Sequence, residues 1–306
     1  MSLYLSSSPH IRSGKTTESI MRDVLIALSP CVLAGTLLYE LRALLNVCFC
    51  GLLCIFLEFT CRFVMKRPQS IGDLSAAVSG ILLGLVLPPR IPLHYCIVGC
   101  VVAIVVVKQM FGGIGNNFVN PALAGRIVML VSFPTEMNTY STASFFDAVT
   151  TATPLSLGAD AVSLWDLLLG RVGGCVGETC KIAILIGFIY LLARKIISPL
   201  IPLSFVGTAA LFSLCVGEPV AYQILSGGLL FGAVFMATDY VTSPVTKWGK
   251  VVFGCGCGLL TILIRLYANL PEGVSYAIVL LNITVPLIER ATRAKTFGKR
   301  QMSRVR

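Results

Sequence analysis

Apolar residues fill long runs along most of this chain, and short polar segments separate them. A helix that crosses the hydrocarbon core of a bilayer needs about 20 mostly apolar residues, or fewer where the helix is broken. Counted in this way, the pattern predicts ten membrane-spanning helices. They cover residues 23–39, 43–61, 74–88, 93–110, 120–133, 180–193, 198–216, 222–238, 250–267 and 274–289. We therefore expect an all-α polytopic membrane protein, with a single membrane domain over residues 1–306.

The composition supports a membrane protein and argues against a nucleic-acid partner. The chain is 56% hydrophobic and 12% charged, with a mean hydropathy of +0.87, whereas soluble domains carry about 25% charged residues. The net charge of +10 comes from basic residues that lie between and after the apolar runs, where membrane topology needs them. The polar residues 1–20 contain no apolar core with a small-residue cleavage site, so we expect no cleavable signal peptide.

The distribution of basic residues predicts the orientation of the spans. Short cytoplasmic segments carry an excess of lysine and arginine, and eighteen of the 24 basic residues face the cytoplasm if the N-terminus is inside. An even number of spans then places both termini in the cytoplasm, with a basic tail at 291–306, and the long 134–179 loop on the outer face. Six basic residues are not explained by this sorting: Arg42, Arg90, Arg126, Arg171, Lys181 and Arg265.

Two glycine-rich segments suggest an internal duplication. Ser79-Gly80-Ile81-Leu82-Leu83 in the third span is similar to Ser226-Gly227-Gly228-Leu229-Leu230 in the eighth, at the same place in each half of five spans. Because five is an odd number, the halves would be inverted repeats, at about 21–133 and 180–290. Inverted repeats with interrupted helices at matching positions are typical of sites near the membrane midplane. Chance similarity between apolar, glycine-rich helices is the alternative.

A glycine- and asparagine-rich segment, 112–121, precedes the fifth span. Its glycines permit unusual backbone conformations, and the amides of Asn117 and Asn120 offer both donors and acceptors. Within a membrane, irregular backbone must be buried in protein or line a cavity. We favour a re-entrant segment that shapes a ligand site over an ordinary interhelical turn. Arg126, a cation inside a span, would meet an anionic cofactor or an acidic partner.

Thr238 and Asp239 lie in the corresponding polar segment of the second half, 236–246. Asp239 stands at the apolar end of the eighth span among several threonine and serine hydroxyls. Such a carboxylate would help to carry a cation or would hydrogen-bond a flavin ring. A helix cap at the cytoplasmic surface is an equal alternative.

Two acidic residues in or near spans need partners, because charges within a membrane are costly unless they are paired. Glu58 has Arg62 at i, i+4 spacing on a helix, and Asp23 has a nearby base such as Arg22, so simple ion pairs explain both. A role in an ion pathway is the alternative.

No metal site is predicted from the histidines and cysteines. His10 and His94 lack a second histidine at ligand spacing, and the cysteine pairs at 96/100 and 255/257 do not match zinc or iron–sulfur spacing well. Most of the twelve cysteines lie inside apolar spans, and we expect free thiols that act as small hydrophobic side chains.

The outer loop contains Asp147-Ala148-Val149-Thr150-Thr151-Ala152-Thr153, and these residue types suit the attachment of a phosphate ester. The hydroxyl of Thr153 would supply the linking oxygen. Small neighbours leave room for a bulky nucleotide, and Pro154 stiffens the backbone that follows. By composition alone, this is a serine- and threonine-rich loop with no specific function.

The same segment resembles the flavinylation motif Asp-x-x-Ser/Thr-Gly-Ala-Thr, in which the last threonine takes FMN through a phosphoester bond. The segments 113–126 and 235–246 are similar to signatures of the D subunit of the Rnf complex, and so are 271–274, 282–286 and the N-terminal 8–12. The resemblance covers essentially the whole chain. Thr151 departs from it, because the family commonly has glycine there; since Asp147, Ala152 and Thr153 remain, we expect attachment to persist.

The resemblance implies a multi-subunit machine in the cytoplasmic membrane of a bacterium. It would couple electron transfer between reduced ferredoxin and NAD to the movement of Na⁺ or H⁺. This chain would relay electrons through FMN at Thr153 and through a second, noncovalent riboflavin between helices, and it would not be catalytic alone. Its partners would be the other membrane and iron–sulfur subunits and a flavin transferase that acts on the outer face.

Candidate cofactor-binding residues follow from the polar segments beside the spans and from the resemblance. Asp147, Thr150, Thr151 and Ala152 would form the attachment motif around Thr153, and further candidates are Asn117, Asn120, Arg126, Thr238 and Asp239; no catalytic residue is assigned. One alternative is the B subunit of the sodium-pumping NADH:quinone reductase, which shares the core but usually has a longer N-terminal region. A flavin-free secondary transporter is another, because the inverted repeat, the broken spans and Arg126 would suit it equally well.

Overall fold

The computed structural model describes residues 16–141, 150–151, 155, 162–268 and 272–293. Asp147, Ala152 and Thr153 lie outside these residues. The described helices are α1 Thr17–Val64, α2 Ser75–Leu85, α3 Leu93–Val101, α4 Pro121–Ser132, α5 Pro134–Met137, α6 Leu164–Leu169, α7 Lys181–Ala193, α8 Leu200–Val216, α9 Val220–Leu225, α10 Leu229–Phe231, α11 Lys247–Tyr267 and α12 Gly273–Thr292. Two π-helical segments, Val102–Gln109 and Gly232–Met236, extend α3 and α10, and Ile71–Asp73 forms a 3₁₀ turn.

A short β-ribbon brings together the two sides of the predicted outer loop. Strand β1, Tyr140–Ser141, pairs antiparallel with β2, Thr150–Thr151, so that Tyr140 lies opposite Thr151 and Ser141 opposite Thr150. Within the attachment motif, the backbone of Thr150 and Thr151 is therefore paired with the segment that follows α5.

Helix α1 is two spans joined by a sharp break. Its 48 residues would measure about 72 Å as a continuous helix, more than twice the roughly 30 Å of a hydrocarbon core. The helical conformation is interrupted at Tyr39 and Glu40, where Glu40 has φ 67° and ψ −176°. This break separates the predicted spans 23–39 and 43–61.

Contacts between helices define two ends of the bundle. At one end, side chains of α1, α2, α7 and the segments after α3 and α10 line a common cavity; we call it the Asp239 end. At the other, Tyr39 donates to the Val172 carbonyl (2.8 Å) and Tyr140 donates to Glu272 (2.7 Å); we call it the Glu178 end.

The surface of the bundle is apolar, as expected for a protein whose solvent is lipid. Large aliphatic side chains on the outer faces of the helices are exposed, including Leu37, Leu52, Leu203, Leu214 and Leu287, each at least 64%. Three helices, α1, α11 and α12, have the length and composition to cross a membrane, and five shorter apolar helices accompany them. The prediction of a polytopic helical membrane protein is therefore confirmed.

Close helix packing explains two of the glycines. A Cβ on Gly80 of α2 would lie 2.5 Å from the Cys50 carbonyl oxygen, and a Cβ on Gly258 of α11 would lie 2.5 Å from that of Phe205 in α8. Small residues let helix backbones approach closely where lipid provides no hydrophobic drive for association. Each half of the chain thus contains tightly packed helices.

The eighth predicted span is not a continuous helix. Residues 222–238 were predicted as one span, but α9 ends at Leu225, and Gly227 adopts φ +60°, a left-handed conformation that favours glycine. In the third span, by contrast, Ser79 and Gly80 lie inside α2. The sequence similarity between these two segments therefore does not extend to their backbone conformation. The other nine predicted spans overlap helices.

Candidate functional site

Two polar segments that are far apart in sequence meet at the Asp239 end. Asn120 caps α4, since its side chain accepts hydrogen bonds from the backbone amides of Ala122 (3.0 Å) and Leu123 (3.3 Å). Its amide nitrogen also donates to the Met236 carbonyl (3.3 Å). One side chain thus fixes the start of a helix and ties it to the end of the second π-helical segment.

Asn282 of α12 joins the same contact from the last span. In the amide orientation that satisfies both partners, its nitrogen donates to the Thr242 carbonyl (3.1 Å) and its oxygen accepts from the Asn120 backbone amide (3.2 Å). Asn282 is 2% exposed. The segments 113–126, 235–246 and 282–286, which carry the resemblance, therefore converge on one site.

A cavity lies where these segments meet, with about 760 Å³ of space including its open mouth. Four of the predicted site residues line it, namely Asn117, Asn120, Thr238 and Asp239. Further polar groups come from Ser75, Ser79 and Lys108, and the rest of the lining is mainly apolar. Sites for small molecules and cofactors are typically mostly apolar, with a few placed polar groups, and this lining has that character.

Both π-helical segments end at this cavity. In Val102–Gln109 and Gly232–Met236, a backbone amide donates to the carbonyl five residues earlier, instead of four as in an α-helix. An example is the bond from the Ala237 amide to the Gly232 carbonyl (2.8 Å). Such segments are rare and occur frequently at functional sites.

Asp239 lies in the loop after α10 and does not cap a helix. Its carboxylate accepts a hydrogen bond from the Thr242 hydroxyl (3.1 Å), whereas α11 is capped by Thr246. Burial raises the pKa of the Asp239 carboxyl above its ordinary value, and the hydrogen bond from Thr242 offsets part of that shift. The helix-cap alternative is therefore wrong for Asp239.

A buried ionic cluster lies directly behind the cavity. The Glu58 carboxylate accepts from Ser70 (2.6 Å), Lys108 (2.8 Å) and Gln109 (2.9 Å). Lys108 also donates to the hydroxyl of Ser75 (2.7 Å), and both charged residues are at most 2% exposed. Arg62 does approach Glu58, but at 3.7 Å. The predicted pair is present, yet Lys108 is the closer partner because α3 packs against α1.

Asp23 forms an ion pair, as predicted, but Arg22, the base given as an example, is not its partner. Arg22 pairs with Glu18 one turn earlier, and neighbouring positions on a helix do not face each other. Asp23 instead accepts from Tyr190 (3.0 Å) and pairs with Arg194 (3.2 Å), both at the end of α7. The pair joins the first span to the sixth.

Arg126 lies at the Glu178 end, apart from the asparagines with which it was grouped. It stands six residues after Asn120, about 9 Å along α4. Its guanidinium pairs with Glu178 (2.5 Å) and with Glu272. Of the two predicted partners, the acidic one is therefore present, and Arg126 does not line the cavity at the Asp239 end.

Cys175, Glu178 and Glu272 present three potential metal ligands within 4.8 Å of one another. Arg126 contacts the same three side chains, including the Cys175 sulfur at 3.4 Å. Its guanidinium already supplies the positive charge that would attract the carboxylates, so the cluster is better described as an arginine site.

The cysteines agree with the interpretation as free thiols. All twelve are free, and seven are buried. Cys100 of α3 lies against the Cys50 carbonyl of α1, with the sulfur 3.8 Å from the oxygen. These side chains fill the interface between the two helices.

Sequence reasoning did not identify Glu178, Lys181 or Arg265 as site residues. A signal was present, however. Lys181, Arg265 and Arg126 belong to the six basic residues that membrane topology did not explain, and all three lie at the Glu178 end. Cations without a topological role are therefore a useful pointer to a buried site.

Comparison with known proteins connects these sites to a family. The family model described as the NQR2, RnfD, RnfE family matches residues 4–298. The chain is 44% identical over 305 residues to the D subunit of the Na(+)-translocating ferredoxin:NAD(+) oxidoreductase complex of Acetobacterium woodii, and the match covers 97% of this chain and 96% of that protein. It is 38% identical over 321 residues to the D subunit of the proton-translocating ferredoxin:NAD(+) oxidoreductase complex of Clostridium ljungdahlii, with 97% and 96% covered.

Proposed function

Because the chain belongs to the NQR2, RnfD, RnfE family, we propose that it is the D-type membrane subunit of an ion-translocating ferredoxin:NAD oxidoreductase complex. Two relatives that it matches over almost their whole length are named as the D subunits of such complexes. This favours the D subunit over the B subunit of the quinone reductase. The other subunits of the complex are its partners, and Na⁺ or H⁺ is the ion that the complex moves.

The charge distribution supports an orientation with the Asp239 end in the cytoplasm. Lys66, Arg67, Arg194, Lys195 and Lys247 lie in or beside the connections at that end, as the positive-inside rule requires. With α1 as two spans and α9 and α10 as one broken span, the chain forms ten spans in two halves of five. Both termini are then cytoplasmic, and the flavin-bearing loop is on the outer face.

Thr153 carries FMN through a phosphoester bond, attached by a flavin transferase on the outer face. When bound, FMN supplies the ability to accept and pass on electrons. The described neighbours fit a loop that holds such a group, because β2 is paired with β1 and Leu155 lines a cavity at the Glu178 end.

The cavity at the Asp239 end fits the second, noncovalent riboflavin. Phe235 and Tyr240 provide aromatic surface, and Asn117, Asn120 and Asp239 provide donors and acceptors for the polar edge of a flat ring. Lys108 and Asp239 place one charge of each sign at the lining. These residues would bind and orient the ring, while the Glu58 cluster holds the cavity wall in place.

The attachment of FMN is tested by in-gel fluorescence. After co-expression with a competent transferase, the wild-type chain should give a yellow-green band that survives denaturation. Thr153→Ala should abolish it, and the matched control Thr139→Ala, which removes an exposed hydroxyl of the same loop outside the motif, should retain it. A wild-type band without flavin would contradict the electron-carrier function and favour a flavin-free transporter.

The riboflavin site is tested by filling the cavity. Val78→Trp should remove the flavin that acid precipitation releases, while the covalent flavin remains. Thr153→Ala should show the opposite pattern. Equal amounts of released flavin in Val78→Trp and wild type would contradict this placement.

A further inference from the structure

The two tryptophans of the chain lie on its surface, at opposite ends of the bundle. Trp248 is the second residue of α11, at the Asp239 end, and Trp165 is the second residue of α6, at the Glu178 end. They are 75% and 74% exposed. Tryptophan is enriched at membrane–water interfaces, where its amphipathic ring lies at the level of the lipid headgroups. Both positions therefore suit the boundary of a bilayer.

Helix α11 gives the distance between the two ends. Trp248 lies in its first turn, and Tyr267, which is 74% exposed, is its last residue. The 19 residues of rise from Trp248 to Tyr267 amount to about 28 Å, close to the roughly 30 Å of a hydrocarbon core. Between these two residues, the exposed side chains of α11 are those of Val252 and Leu259, and both are apolar. The two aromatic rings thus lie one bilayer core apart.

Two contacts place α6 at the same level as Tyr267. Arg265, in the last turn of α11, donates to the Gln223 carbonyl of α9 (2.6 Å). The neighbouring Tyr222 packs in one buried cluster with Leu167 of α6. Helix α6 is therefore level with the end of this span.

The surface of α6 is more apolar than its packing requires. Leu167, which is 1% exposed, faces the bundle and lines the cavity that also contains Glu178. On the rest of the helix, Leu164, Trp165 and Leu169 are exposed. Contiguous exposed apolar side chains mark a contact with a membrane or with another protein. The helix thus forms a wall between the cavity and whatever covers its outer side.

We propose that α6 is an interfacial helix, whose Leu164, Trp165 and Leu169 insert among the lipids of the leaflet at the Glu178 end. Trp248 marks the opposite leaflet. The spacing along α11 favours lipid over another subunit, because a protein contact does not require aromatic rings one hydrocarbon core apart. An indole also combines an apolar body with one N–H donor, which suits the boundary between acyl chains and water. This inference does not depend on the flavins.

Single-tryptophan variants of the full chain test the depth of each ring in phosphatidylcholine vesicles. Trp248→Phe leaves Trp165 as the only indole, and Trp165→Phe leaves Trp248. Fluorescence is compared in vesicles whose phospholipids are brominated either near the headgroup or near the end of the acyl chain. For both indoles, we expect quenching by the shallow bromines to exceed quenching by the deep bromines several-fold.

Iodide in the aqueous phase gives the opposing measurement. Strong quenching of Trp165 by iodide, with none by brominated lipid, would place α6 in water and overturn the proposal. Stronger quenching of Trp165 by the deep bromines than by the shallow ones would also overturn it, because the helix would then lie within the hydrocarbon core.

A further pair of variants tests the two leucines in the Trp248→Phe background. Leu164→Gln/Leu169→Gln should lower the quenching of Trp165 by lipid and raise its quenching by iodide, because the helix loses its apolar anchors. The matched control Val245→Gln, which removes an exposed apolar side chain at the Asp239 end, should leave Trp165 unchanged. Equal quenching in the double variant and in its parent would contradict insertion through these side chains.

A photoactivatable phospholipid separates lipid from a neighbouring subunit in the assembled complex. After illumination, mass spectrometry should find lipid adducts on the peptide that contains α6. Chemical cross-links from this peptide to another subunit, without lipid adducts, would assign the surface to a protein partner and overturn the proposal.

Discussion

Both ends of the bundle contain buried charges, but the two clusters are built differently. At the Asp239 end, Glu58 accepts three close hydrogen bonds, and its main partner Lys108 has a second acceptor in Ser75. At the Glu178 end, Arg126 takes both carboxylates, and two further cations contact only uncharged oxygens.

Both clusters connect segments that are far apart in the chain. A carboxylate whose lone pairs are filled by donors from two other segments, as Glu58 is by Ser70 and by Lys108 and Gln109, holds those segments together. At the Glu178 end the cations outnumber the carboxylates, and the Ser226 hydroxyl and the Arg265 Nε lack a hydrogen-bond partner within the described residues. The Glu58 cluster has the same imbalance, with Lys108 and Arg62 against one carboxylate, so unbalanced buried charge alone does not identify a functional site.

The largest effect on stability is expected for Arg126→Met. It leaves Glu178 and Glu272 buried without their cation, and breaking a buried pair from one side costs about 3–5 kcal/mol. The free energy of unfolding in detergent should fall by this amount, with Arg90→Met as the exposed control. A change below about 1 kcal/mol, the range of surface ion pairs, would show that water screens these charges more than their burial in the structure indicates.

A somewhat smaller loss is expected for Glu58→Gln, about 3 kcal/mol, because the amide oxygen still accepts a hydrogen bond while Lys108 loses its counter-charge. Adding Lys108→Met should recover a large part of the loss, since no uncompensated charge remains. Additive effects in this double-mutant cycle would contradict a direct coupling between the two side chains.

The next prediction compares alanine substitutions at two glycines. Gly227→Ala should cost roughly 1–2 kcal/mol, because φ is +60° and left-handed backbone is unfavourable for residues with a Cβ. Gly207→Ala lies inside α8 with no atom within 4 Å of the added Cβ, so it should stabilise by up to about 1 kcal/mol. Melting temperatures that shift in the same direction would contradict the conformational explanation.

The smallest effect on stability is expected for Asp239→Asn, below about 0.5 kcal/mol, the usual range for substitutions that break no buried network. Asparagine can still accept the hydrogen bond from Thr242. If Asp239 takes part in coupling, however, ion movement per electron should fall several-fold in sealed vesicles while the complex still assembles. An unchanged ratio of ions to electrons would remove Asp239 from the ion pathway.

The candidate site was predictable where local chemistry was distinctive. Asn117, Asn120, Thr238 and Asp239 stand out because amide, hydroxyl and carboxylate side chains are clustered where apolar spans begin or end, and the structure brings all four to one cavity. Arg126 stood out for the same reason, but sequence proximity grouped it with the wrong end. Its actual partners, Glu178 and Glu272, are 52 and 146 positions away, and no local pattern reports contacts at such separations.

What the sequence alone determined is the class of structure: apolar runs of sufficient length must become helices in lipid, because every backbone group needs an internal partner. It also determined the polar segments that interrupt those helices and the family to which they are similar. The tertiary structure decided which charges meet, including Lys108 with Glu58, Arg194 with Asp23, and Arg126 with two glutamates. Such pairings depend on how helices pack side by side, and the hydropathy that selects a helix does not specify its neighbours.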